Sequence, residues 1–227
     1  MLRLIIDTAL GYMSIGLARD ADLLASVIID RPETITTLSV GAIDFLIGSV
    51  HQNKKKLDEV VLSAGPGTFT SLRTGISLAK GIGMALGIPL VPVSTLDAMA
   101  NTTGCTDGNM IAAVDGKNNN IYIAEYRVKD NTVERVTPDT LLRADSGTPM
   151  KRQYPVYLIG FDVERYADVL AKSYNGIIKW EKLDIRRTIR ALHSIADKRL
   201  YGIQQVAAAD YVPVYLRQPD INSRKET

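Results

Sequence analysis

The sequence predicts an α/β protein in which two mixed sheets are each flanked by helices. Three observations point there. The first thirty residues read as three strands joined by tight turns. Helix and strand patterns then alternate up to about residue 100. Past a polar stretch at Thr102–Asn109 a hairpin followed by helices returns. This suggests two related lobes, although no repeat is visible in the letters themselves.

Each element has a local reason. Leu2–Asp7 is an apolar strand ending in the turn Thr8-Ala9-Leu10-Gly11, Tyr12–Arg19 alternates, and Leu23–Ile29 follows Asp20-Ala21-Asp22. Pro32-Glu33 opens a helix to about Val50, since proline suits the first helical turn and glutamate its positive dipole end. Lys54–Lys56 is a charged connector and Glu59–Ser63 a short buried strand. Ala64–Thr70 is a loop, and the helix Ser71–Leu86 is capped by Gly87 and stopped by Pro89. Leu90–Val93 is a strand, and Ser94-Thr95-Leu96-Asp97 starts another helix with a capping pattern. Beyond the polar stretch, Met110–Asp115, Ile121–Val128, Thr132–Val136 and Tyr154–Gly160 read as strands, with a turn at Gly116–Asn120. Val163–Ser173 and the basic, amphipathic Asp184–Tyr201 read as helices. The lobes are placed at 1–103 and 104–210, with a tail at 211–227.

Composition narrows the function. The chain has 227 residues, 46% of them apolar and 23% charged, which suits a folded chain rather than a disordered one. Lys plus Arg is 27 against 25 for Asp plus Glu, and a net charge of +2 is small for a protein that grips nucleic acid alone. The opening residues form a strand pattern rather than a signal peptide, and the apolar stretch Gly81–Val93 is cut by Pro89 and Pro92. A cytoplasmic protein without a membrane span is expected. Cys105 is the one cysteine, so no internal disulfide can form. His51 and His193 are the only histidines, both read as surface residues, and neither lies in a paired metal-binding spacing. No metal site, cofactor or catalytic residue is predicted.

Two features remain. Gly65-Pro66-Gly67-Thr68-Phe69-Thr70 joins a strand to a helix, where backbone N–H groups can hold an anion. It lacks the Gly-Lys-Ser/Thr of a Walker A loop, and a tight turn that needs glycine is the favoured reading. The flanking helices are more informative. The first carries two apolar stripes, one of Ile35, Leu38, Ala42, Phe45 and Leu46, the other of Val40, Ile43, Ile47 and Val50. One sheet can cover only one stripe. The second helix carries Gly75, Ala79 and Gly83 on one face, a row that admits a closely packed backbone. Burial within the chain and docking of a partner helix pair are both open.

From Ser63 through the Gly-Pro-Gly loop to Arg73-Thr74-Gly75, then Ala79-Lys80-Gly81, Gly87-Ile88-Pro89 and Val93-Ser94-Thr95-Leu96-Asp97, the chain resembles the TsaB (YeaZ) family. The opening Ile6-Asp7-Thr8-Ala9, Asp115 with Ile121-Tyr122-Ile123-Ala124, and Pro213-Val214-Tyr215-Leu216-Arg217 agree with it. Ile35-Thr36 stands where the family often has His-Ser, and Thr68 and Ser71 replace its usual Ser and Gly. The resemblance implies a two-lobed actin-like ATPase (ribonuclease H-like) fold. It implies a non-catalytic scaffold for TsaD, its paralogue, in forming threonylcarbamoyladenosine beside the anticodon of tRNAs reading ANN codons. TsaE, an ATPase, would join the assembly, and tRNA contact would be mainly indirect. Asp7, Thr8 and Asp115 would be remnants of a nucleotide site, since the turn after Asp115 offers Lys117 and asparagines instead of bare glycines. The helix pair is the expected contact with TsaD, or with a second copy when TsaD is absent. Its candidates are Ile35, Leu38, Ala42 and Phe45 on the first helix and Arg73, Ser77 and Lys80 on the second. The alternatives are an active actin-fold enzyme, either an ATP-dependent transferase or a glycoprotease-like peptidase, and a direct tRNA binder using Lys182, Arg186, Arg187, Arg190, Lys198 and Arg199.

Overall fold

The computed structural model describes residues 1–30, 34–144, 154–174 and 176–213. β1 (Leu2–Asp7), β2 (Met13–Arg19), β3 (Asp22–Ile29), β4 (Glu59–Ser63) and β5 (Leu90–Val93) form a sheet in the order β3-β2-β1-β4-β5. The first three strands meander antiparallel, and β4 and β5 join parallel to β1. α1 (Ile35–Ser49) and α2 (Phe69–Leu86) are the crossovers that parallel pairing requires. α3 (Thr95–Ala100) leads to the second sheet. There β6 (Gly108–Lys117), β7 (Asn120–Lys129), β8 (Thr132–Arg135), β9 (Thr140–Arg143), β10 (Val156–Phe161) and β11 (Ile177–Lys182) take the order β11-β10-β6-β7-β8, with β9 paired to β7. If β9 is set aside, both sheets run 3-2-1-4-5 in their own strand count. This duplicated topology is the actin-like α/β class.

The core explains the burial of β1 on both faces. Leu4, Ile6, Val60 and Leu62 lie under Ile43, Leu46 and Ile47 of α1 and Leu72, Ile76 and Ala79 of α2. Ile5, Val61, Val91 and Val93 lie under Ile189, Leu192, Ile195 and Ala196 of α5 (Ile185–Asp197). α4 (Ala167–Ser173) covers Ile111, Ala113 and Leu158 of the second sheet. The helix expected within the second lobe therefore packs on the first sheet. A buried charge cluster fastens it there. Glu59 is fully buried and accepts hydrogen bonds from Arg3 Nε at 2.6 Å, Arg199 at 2.7 Å and Gln205 at 2.6 Å. Burial alone would raise its carboxyl, but these donors together hold it below the usual range.

Several expectations change. β9 and β11 were not foreseen. β9 is four residues long, and β11 places apolar and charged side chains along an edge, so neither shows a full strand pattern. α5 stops at Asp197 because Arg199, Tyr201 and Gly202 take left-handed conformations. His193 is 5% exposed and its ring nitrogens have no hydrogen-bond partner among the described residues. It is buried rather than superficial, because α5 packs against both the sheet and α3 and so buries a wide arc. The helix start Pro32-Glu33 and the tail from Val214 lie outside the described residues.

Candidate functional site: an occupied cleft and an open helix face

The Gly-Pro-Gly loop folds onto the turn after β1. Thr68 N donates to Ala9 O at 2.7 Å, and Thr95 N donates to Gly65 O at 2.8 Å. A Cβ on Gly67 would stand 2.1 Å from Ala9 O, and one on Gly75 would stand 2.1 Å from Thr8 Oγ1. Gly65 sits at φ +99°, a conformation that favours glycine. These glycines let backbone pack on backbone within the chain. Gly67 packs on Ala9 and Gly75 on Thr8, while Phe69 lies under the Arg73 guanidinium, 3.8 Å from the ring centroid.

The two strand-end carboxylates are engaged by the chain's own donors. Asp7, 2% exposed, accepts from Ala9 N at 3.2 Å and from Tyr12 Oη at 2.9 Å. The Tyr12 ring fills this position, itself 2% exposed and edge-on to Phe161. Burial, and then the Asp7 charge, push the Tyr12 phenol well above its ordinary range. Asp115 accepts from Lys117 N at 2.8 Å, Arg165 at 2.8 Å and Tyr166 Oη at 3.1 Å, and Lys117 Nζ lies 2.8 Å from its other oxygen. Burial would raise the Asp115 carboxyl, but the Lys117 and Arg165 donors hold it below the usual range. Lys117, Asn118 and Asn119 all take left-handed conformations, so the turn closes with side chains present where bare glycines were absent. Among the described residues no cluster of three or more His, Cys, Asp or Glu side chains has metal-binding geometry.

α1 and α2 lie side by side on the first sheet, and their outer surface is partly apolar. Leu38 is 47% exposed, Phe45 68% and Met84 61%. Gly41 and Gly48 lie in the same row as Leu38 and Phe45, and Gly81 precedes Met84, each with no described atom within 4 Å of where a Cβ would stand. Arg73 and Ser77 are exposed on the same side of α2, and Ala42 is half-buried. Two candidates move. Ile35 is 2% exposed and belongs to the core, because the helix enters against the sheet there. Lys80 is half-buried and donates to Tyr211 O at 2.7 Å, holding the chain's last described residues against α2. The row Gly75, Ala79 and Gly83 also turns inward, meeting Thr8 at one end and Ala208 at the other. Sequence reasoning missed Tyr12, Met84 and Gly81 as parts of these surfaces.

A second feature escaped the sequence. Asp97, 2% exposed, accepts from Tyr126 Oη at 2.8 Å and from Arg135 at 2.9 Å. Arg135 also bonds Asp139 at 2.6 Å, and Asp139 accepts from Ser94 Oγ. This cluster joins the start of α3 to the edge of the second sheet. Burial pushes the Asp97 carboxyl up to about 6, against the pull of Arg135.

Known proteins share this chain's sequence and shape. Residues 37–177 match the family described as TsaD: tRNA N6-adenosine threonylcarbamoyltransferase. The tRNA threonylcarbamoyladenosine biosynthesis protein TsaB of Bacillus subtilis is 27% identical over 169 residues, 74% of each chain. The Escherichia coli protein of the same name is 28% identical over 132 residues, 57% of each chain. YeaZ from Pseudomonas aeruginosa superimposes with a TM-score of 0.76 at 20% identity, covering 95% of this chain and 99% of that one.

Proposed function

This chain belongs to the TsaD family, in its TsaB (YeaZ) group, and on that premise we propose that it is a non-catalytic subunit that docks TsaD during tRNA threonylcarbamoyladenosine biosynthesis. The observation that carries the reading is the outer face of α1 and α2. Leu38, Phe45 and Met84 stand out of it, exposed among the described residues. Gly41, Gly48 and Gly81 each weaken a helix by about 1 kcal/mol relative to alanine, and among the described residues no contact offsets that. A partner helix pair lying in those rows would offset it. The paralogous helices of TsaD are the proposed occupant, with a second copy of this chain in its absence and TsaE joining the larger assembly. The non-catalytic role draws support from the engagement of Asp7 by Tyr12 and of Asp115 by Lys117 and Arg165.

The test is association with TsaD measured by calorimetry for Leu38→Asp and Phe45→Asp, each shown to be folded by circular dichroism. A charge at a buried interface centre is expected to weaken binding by about 2–4 kcal/mol. Gly81→Ala is expected to stabilise the isolated chain and to weaken association. Unchanged association in all three variants refutes the docking reading. Turnover of threonylcarbamoyl-adenylate by this chain without TsaD refutes the non-catalytic one.

A further inference from the structure

The docking face leaves one strongly charged surface unexplained. Residues 179–199, from the end of β11 through α5, hold seven Lys and Arg against three Asp and Glu, in a chain whose net charge is only +2. The fold sorts these charges. Arg199 turns inward to Glu59 at 2.7 Å, and Asp197 turns inward to Arg3 at 2.7 Å. Lys179, Lys182, Arg186, Arg187, Arg190 and Lys198 are exposed. Asp184 caps the helix and is held by Arg186, and Glu181 lies 3.8 Å from Arg187 and also accepts from Gly104 N. Lys179, Lys182, Arg190 and Lys198 have no ion pair among the described residues.

The apolar side of α5 fixes which way the cations point. Ile189, Leu192 and Ile195 are buried on the first sheet, so Arg186, Arg187, Arg190 and Lys198 face away from it along about 18 Å of helix at 1.5 Å per residue. Arg190 lies four residues from Arg186 and three from Arg187, and like charges at those spacings disfavour the helix unless an anion lies across them. The face is also opposite α1 and α2, which cover the other side of the same sheet, so the two surfaces can be occupied together.

We infer that the outer face of α5, with Lys179 and Lys182 beside it, is a phosphate-contacting surface for RNA. The inference rests on the proposed function in one respect, that the RNA presented to it is tRNA. No large apolar side chain is exposed between residues 179 and 199, so the face has nothing to insert into a lipid interface. A row of guanidinium and ammonium groups with no apolar anchor suits the sequence-independent track of a nucleic-acid backbone. Arg199, grouped with this run from the sequence, is not part of it.

The experiment uses the full chain and the double charge reversal Arg190→Glu/Lys198→Glu, neither residue lying in the docking face. Fluorescence anisotropy of a labelled, unmodified tRNA transcript is followed across a salt series, for the chain alone and with TsaD. The variant is expected to bind at least tenfold more weakly, with a log–log salt slope shallower by about 2. Its circular dichroism and its association with TsaD should be unchanged. Equal transcript binding by wild type and variant overturns the inference, as does absence of wild-type binding in both settings at the lowest salt. Anionic phosphatidylserine vesicles are the control, and binding to them as tight as to the transcript and lost in the same variant also overturns it. Loss of TsaD association in Leu38→Asp with transcript binding retained would confirm that the two surfaces are independent, and failure of either reading is visible without the other.

Discussion

Gly75→Ala tests whether the signature glycines serve packing inside the chain. Two effects oppose each other. Alanine in place of glycine within a helix gains about 1 kcal/mol. At this position the added methyl carbon would stand 2.1 Å from Thr8 Oγ1 and 3.0 Å from its Cγ2. Overpacking a tight core site loses about 1–3 kcal/mol, so the single variant should be destabilised by about 1 kcal/mol net. Thr8→Ala removes both close atoms and leaves only the Cβ at 3.1 Å. In that background Gly75→Ala should be neutral or stabilising, a coupling of about 1–3 kcal/mol between the two sites. Gly67→Ala has no such rescue, since its obstacle is the carbonyl of Ala9. Urea unfolding of the four members of the cycle measures it. A coupling below about 0.5 kcal/mol, within the scatter of independent sites, would refute the close-packing account of Gly75.

Other predictions follow from the buried charges. Glu59→Gln removes the buried charge shared by Arg3 and the half-buried Arg199, leaves Arg3 with Asp197 alone, and should destabilise by about 3 kcal/mol by urea unfolding. The depressed Glu59 carboxyl stabilises the fold above its unfolded pKa, and that contribution should vanish as pH falls through the folded one. Asp97 works in the opposite sense. Its carboxyl is raised from 3.8 to about 6, so the folded chain holds the proton longer and stability should fall as pH rises through that interval. Asp97→Asn should flatten the pH 4–6 part of the unfolding profile (about 4 to 6, the interval between the two states). Calorimetry with ATP should give no binding that Asp7→Ala abolishes, because Tyr12 already occupies the Asp7 carboxylate.

Much of the first sheet was legible from sequence. β1 to β5 and the helices between them each show a complete period and a chemical stop, such as Gly87 and Pro89 after α2. The Gly-Pro-Gly loop was also legible as a turn, and the structure supplies its partner, Ala9. What could not be read depends on contacts far apart in the chain. The two apolar stripes of α1 do not divide into inner and outer ones. Ile35 and Leu46 of the first face the core while Leu38 and Phe45 stand out, because the buried arc of Ile35, Ser39, Ile43, Leu46 and Ile47 lies between the two stripes and takes the inner edge of each. The inward turn of Gly75, Ala79 and Gly83 depends on Thr8 and Ala208, neither of them near in sequence. Asp97 read as a helix-start residue, yet its partners come from β7 and β8.

The position of α5 bears on how the chain can be made. β1, β4 and β5 are complete once Val93 has been synthesised, but their second face waits for Ile185–Asp197. At about 5–20 residues per second, the intervening hundred or so residues take about 5–20 s to emerge. For that interval Ile5, Val61, Val91 and Val93 present an uncovered apolar face on an otherwise paired sheet. The opening two-fifths of the chain is therefore a delayed unit, whose closure is timed by the synthesis of α5 and not by its own sequence. A nascent chain halted before Ile185 should be captured by chaperones that bind exposed apolar strands, and one released after Asp197 should not.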